Sequence, residues 1–131
     1  MDRKLLILGG IFGLTAVILG AFGAHGLEGK VDSESISSFE TGVRYQFYHA
    51  FLLLCVGGFL PLSRKRKRAV YYLLLIGVIL FSGSIYLLST QNLTGMDFSG
   101  IALLTPFGGL LLIVAWSVLL YSFIKERGIT D

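Results

Sequence analysis

The chain has 131 residues, 54% of them hydrophobic and 15% charged, with a net charge of +3. That apolar content exceeds what a water-soluble domain of one-domain length carries, so a soluble globule with a polar coat is excluded. Five of the 11 basic residues fall in one run, Arg64, Lys65, Arg66, Lys67 and Arg68, so the excess charge reads as a topology signal and not as a nucleic-acid footprint.

Residues 5–24 form the first uncharged apolar run. A helix rises about 1.5 Å per residue and a hydrocarbon core is about 30 Å thick, so roughly 20 apolar residues make one crossing. Lipid offers backbone N–H and C=O groups no partner, and such a run is expected to be helical throughout. Arg3, Lys4 and the small residues around Ala21 and Gly23 imitate a secretory signal. The run is longer than a signal core, however, and three comparable runs follow it, so a retained first span is expected. Gly9, Gly13, Ala16, Gly20 and Ala24 recur at spacings of three or four and share a helix face open to close approach by another helix. That face serves either packing within the molecule or association with a second copy.

Residues 28–44 are the least hydrophobic segment. Asp32 or Ser33 can cap a helix, and Ile36, Phe39, Val43 and Phe47 recur at helical spacing. This predicts a short amphipathic helix or turn at the outer interface, leading into a second span at 45–62. Cys55, the single cysteine, lies within that span and reads as a small apolar side chain.

His25 closes the first span, while Arg44, Tyr45, Tyr48 and His49 open the second, which predicts a polar cluster at the outer boundary. Ionisable groups at membrane depth mark functional sites, yet Tyr, Arg and His also anchor helix ends at the headgroups. Both readings stand on the sequence. His25 and His49 on facing helices would suit bis-imidazole haem ligation if both faced a common gap. A zinc site, with only two imidazoles, is weaker.

A third span is expected at 70–89 and a fourth at 101–124, separated by a polar turn. Ser82, Ser84, Tyr86 and Thr105 are their polar groups, and such hydroxyls ordinarily bond back to their own helix. Pro106, followed by Gly108 and Gly109, predicts a kink. Four crossings put Arg3, Lys4, the five-residue basic loop, Lys125 and Arg127 on one side, and only Lys30 and Arg44 on the other. The basic side stays in the cytoplasm, so both termini are expected there. The basic loop can also attract anionic headgroups, at about 1 kcal/mol per residue.

The fold expected is therefore all-α: an integral membrane four-helix bundle with short loops. No phosphate loop, nucleophile–base pair or intramembrane acidic pair supports enzyme chemistry. The reading is a non-enzymatic membrane protein acting through helix packing, self-association, lipid or protein contacts, with membrane lipids and a second copy as partners and no required cofactor. Two alternatives stand beside it: a small-solute or ion transporter with a polar outer mouth, and a haem- or quinone-binding redox protein.

Several motifs resemble the YgdD/YwdK-like family of small membrane proteins. They are the segment 20–26, Gly-Ala-Phe-Gly-Ala-His-Gly, the segment 41–50 from Thr41 through Arg44 and His49 to Ala50, the segment 83–87 around Ser84 and Tyr86, and the segment 104–109 around Thr105 and Pro106. The resemblance covers nearly the whole chain in the expected order. It implies a multi-span protein of the bacterial cytoplasmic membrane, with relatives in eukaryotes. It implies no activity, because that family's function is unknown.

Overall fold

A computed structural model of the chain describes residues 1–125; Arg127, counted above among the cytoplasmic charges, lies outside them. The described residues are helical, with no strand. Helix α1 spans Asp2–His25 and α2 spans Ser33–Gly58. Helix α3, Arg64–Val78, passes through a π-helical turn, Ile79–Gly83, into α4, Ser84–Thr94. A 3-10 turn, Ser99–Ile101, precedes α5, Leu104–Lys125.

Among the described residues three helical stretches are long and apolar enough to cross a membrane: Asp2–His25, Arg64–Ser89 and Ser99–Lys125. Only 22% to 33% of their most apolar windows is buried within the molecule. Water would then face most of that surface, Leu14, Ile18, Ile113 and Leu120 included. Lipid is the solvent that makes such a surface stable.

Helix α2 differs from its expected outline. The proposed interfacial element and the second span form one continuous helix, started when Asp32 accepts a 2.8 Å hydrogen bond from the Ser35 N–H. It ends at Gly58, ahead of Pro61, as the residue before a proline disfavours helix. Its polar first half keeps it outside the three apolar stretches. It nevertheless lies against α1 from end to end. Phe39 fills the bare face of Gly23, the Ala50 carbonyl stands 3.0 Å from where a Gly9 Cβ would be, and Gly57 meets Leu5 and the Asp2 carbonyl.

The basic run is also helical and opens α3. Five cations at the positive end of a helix dipole repel it. The Lys67 ammonium offsets part of this by binding Asp2 at 2.8 Å, and the Arg66 guanidinium sits 5.6 Å from the Tyr121 ring centre. Those contacts gather the starts of α1 and α3 and the end of α5 at one end of the molecule.

Pro106 falls in the first turn of α5, where its missing N–H removes no helical bond, so it begins the helix instead of kinking it. Gly108 has a different task. A Cβ there would collide with the Phe81 backbone and come within 2.9 Å of the Gly77 carbonyl oxygen. The π turn is thus the place where α5 docks backbone to backbone. An aliphatic core including Leu5, Leu53, Val56, Leu74, Leu112 and Leu119 fills the basic end, and a smaller cluster of Leu27, Phe39 and Val43 closes the other.

Candidate functional site

Most of the buried polar side chains converge on the middle and the non-basic half of the molecule; Ser122, at the basic end, donates back to the Val118 carbonyl. Gln46 is 5% exposed and joins three helices. Its Nε2 donates to the Phe12 carbonyl at 2.9 Å and to Thr15 Oγ1 at 2.7 Å, both on α1, while its Oε1 accepts the Tyr86 hydroxyl of α4 at 2.7 Å. Thr15 in turn donates to the Ile11 carbonyl. The close approach that allows this comes from Gly42, one turn earlier on α2, whose missing side chain leaves room for the Tyr86 ring. Ser82, inside the π turn, donates to the Gly42 carbonyl at 2.7 Å. A π turn brings an extra residue around the helix and re-aims its neighbours, which here turns a hydroxyl toward another helix's backbone.

His49 is 4% exposed and has both ring nitrogens engaged. Trp116 Nε1 lies 3.0 Å from His49 Nε2, and an indole N–H can only donate, so Nε2 is the bare nitrogen. Nδ1 then carries the proton and donates to the Tyr45 carbonyl at 2.6 Å. The imidazole is neutral and fixed between α2 and α5. Ser84 and Thr105 make a third pair, with hydroxyl oxygens 2.5 Å apart, tying α4 to the start of α5.

The structure splits the expected outer cluster. His25 is exposed at the end of α1, whereas His49 lies beside Ala50 at the level of Gly9, about 24 Å away along α1. The two imidazoles share no gap, and His49 has no free nitrogen for a haem iron. Arg44, Tyr45 and Tyr48 point outward; Arg44 donates to Thr41 Oγ1, and the Tyr45 ring packs on Phe81 with centroids 4.9 Å apart. Tyr86, Ser84 and Thr105 do lie inside, bonded to partners on other helices and not only to their own. Of the small-residue face, Gly9 and Ala16 pack inward, Gly20 touches Val43, and Gly13 has open space beside it while Ala24 is exposed. Of Arg64, Lys65, Arg66, Lys67 and Arg68, Lys67 is ion-paired and Arg66 stacks on Tyr121. Among the described residues no group of three or more His, Cys, Asp or Glu is placed to hold a metal.

Thr15 and Trp116 carry no sequence signal of their own, and Gln46 reads from the sequence only as one of the polar residues opening the second span. A signal existed for Gln46: positions 39, 43, 46, 50 and 53 form one helical stripe, and a polar residue on an otherwise apolar stripe faces the core.

Comparison with known proteins places the chain in a setting. Residues 19–109 match a family described as "Protein of unknown function (DUF423)". The chain is 40% identical over 126 residues to the UPF0382 membrane protein YwdK of Bacillus subtilis, covering 94% of this chain and 98% of that one. It is 34% identical over 129 residues to a UPF0382 membrane protein of Haemophilus influenzae, covering 98% and 100%. With the UPF0382 inner membrane protein YgdD of Escherichia coli it shares 31% over 136 residues, covering 98% and 97%. These are the relatives to which the motif resemblance pointed. No solved structure matches at a significant level.

Proposed function

The chain belongs to the DUF423 family of membrane proteins of unknown function, and from that premise we propose a non-enzymatic protein that crosses the cytoplasmic membrane four times and acts through the surfaces it presents to lipid and to other proteins. The observation that carries this reading is that the buried polar side chains at its centre are spent on one another. Gln46 binds Thr15 and Tyr86, His49 binds Trp116, and Ser82 binds a backbone carbonyl. A catalyst or conduction path needs polar groups left open to substrate, and these groups act as fasteners between helices.

Helix α2 supplies the fourth crossing. It has no charged residue between Tyr45 and Gly58, and it runs beside α1 from Gly23 to Leu5. Its polar first half then lies at the outer boundary, where Arg44 and Tyr48 meet headgroups. Both termini and the basic start of α3 lie on the cytoplasmic side.

Cysteine accessibility tests the whole reading in one experiment, on a Cys55→Ala background in intact cells. Lys30→Cys and Asn92→Cys should react with a membrane-impermeant maleimide, and Lys65→Cys should react only after lysis. Ser82→Cys, 1% exposed at present, should stay inert in both conditions. Rapid labelling at Ser82→Cys would reveal a water path and favour transport. Labelling of Lys65→Cys in intact cells would overturn the orientation.

A further inference from the structure

Beyond the internally paired groups lies a cavity of about 350 Å³ at the non-basic end, between the start of α2, the first half of α4 and the start of α5. Asp32, Glu34, Ser35 and Ser38 form one wall, Ile85, Leu88 and Thr105 another, and the buried Ser89 also lines it. Ser89 is only 6% exposed, and its hydroxyl has no hydrogen-bond partner among the described residues. A buried hydroxyl without a partner costs free energy that a bound group would recover. The Glu34 carboxylate likewise makes no ion pair or hydrogen bond there. Among the described residues no Lys or Arg lines the cavity.

We infer that this cavity binds a primary ammonium group carried on a short hydrocarbon stem. Its N–H donors match acceptors of two kinds, the Asp32 and Glu34 carboxylates at the rim and the Ser89 hydroxyl inside, while Ile85 and Leu88 take the stem. A bare metal ion fits less well, because it asks for six or more oxygen ligands in a tight shell and has no use for an apolar wall. Asp32 is ionised for this purpose: hydrogen bonds from the Ser35 hydroxyl and then the Ser35 N–H hold its carboxyl below the ordinary 3.8. The cavity meets the end of the apolar stretch at Ser89, so the ammonium can come from a free amine or from the headgroup of phosphatidylethanolamine.

The test uses the full chain in mild detergent, with unfolding followed through Trp116 fluorescence. Butylammonium chloride at tenfold excess over its dissociation constant should raise the midpoint by about 5 °C, and 1-butanol should not. Glu34→Gln should weaken the effect roughly tenfold, the loss of one charge-assisted bond. Ser89→Ala should weaken it less, and it removes an unpartnered hydroxyl, so the fold survives. Nanodiscs decide the source. Protection of a Ser38→Cys variant from maleimide in phosphatidylethanolamine but not in phosphatidylcholine identifies the headgroup, and protection by butylammonium in phosphatidylcholine identifies a free amine. The inference falls if butanol or magnesium chloride shifts the midpoint equally, or if the shift survives in the Glu34→Gln/Ser89→Ala double variant.

Discussion

The two ends of this molecule hold their helices together by different means. At the basic end Leu5, Leu53, Val56, Leu74 and Leu119 interlock, and aliphatic contact is the main bond between helices. Glycine contacts serve both ends, as Gly57 on Leu5 shows, but toward the other end they are joined by aromatic rings and cross-helix hydrogen bonds: Gly23 on Phe39, Gly42 on Tyr86, Gly108 on the Phe81 backbone, and Gln46 between α1 and α4. In lipid, aliphatic contact between helices gains little over contact with acyl chains, so packing quality and hydrogen bonds decide which helix faces which. The aliphatic end therefore fills space. The other end sets register, because a slip of one residue would separate Ser82 from Gly42 and Gln46 from Tyr86 together.

The largest break in that asymmetry should come from Gly108→Val. The atoms it would strike belong to the backbone of Phe81, Leu80 and Gly77, none of which can rotate away. A loss of about 3 kcal/mol is expected from overpacking of that kind. Leu53→Val at the aliphatic end, though fully buried, should lose less than about 1.5 kcal/mol. Thermal unfolding in detergent compares the two directly, and equal losses would mean that the ends are built alike.

Gln46→Leu comes next. It removes hydrogen bonds to the Phe12 carbonyl, Thr15 and Tyr86, each worth about 0.6 kcal/mol in a membrane interior, so a loss of about 2 kcal/mol is expected. Adding Tyr86→Phe should cost little more, since its hydroxyl would already have lost its partner. Additive losses in the double variant would show that Tyr86 stabilises the fold by some other route.

The same contrast governs what could be read from the residues alone. Apolar run length and the basic run are local features, and they mark the membrane-length helices directly. Helix α2 was harder, since its charged and serine-rich first half resembles a separate surface element; what makes it continuous is the Asp32 cap and the burial of Phe39 and Val43 against α1. The π turn leaves no local trace, for it depends on Gly108 arriving from the next helix. From the sequence His49 reads as an outer-boundary ligand, because sequence distance does not give depth. Only the packing of Ala50 on Gly9 and the bond from Trp116 show it to be an internal tie.

The smallest expected effect tests whether the non-basic end also carries the acid sensitivity of α2. Asp32 caps that helix through the Ser35 N–H, and its carboxyl pKa is depressed, first by the Ser35 hydroxyl and then by that N–H. A depressed carboxyl contributes stability that is fully present above its ordinary value of 3.8 and is lost as pH falls through the lower folded-state value. The Ser35 amide should therefore exchange with solvent at a pH-corrected rate that is flat from pH 7 to about 5 and rises below about pH 4. Asp32 is exposed, so solvent screening keeps the effect small and local. Asp32→Asn keeps a good cap and removes the titration, so its Ser35 amide should show no acid step. A variant as acid-sensitive as the parent would assign the step elsewhere. The Asp2–Lys67 pair at the basic end is then the next group to test, which would reverse the assignment of acid sensitivity between the two ends.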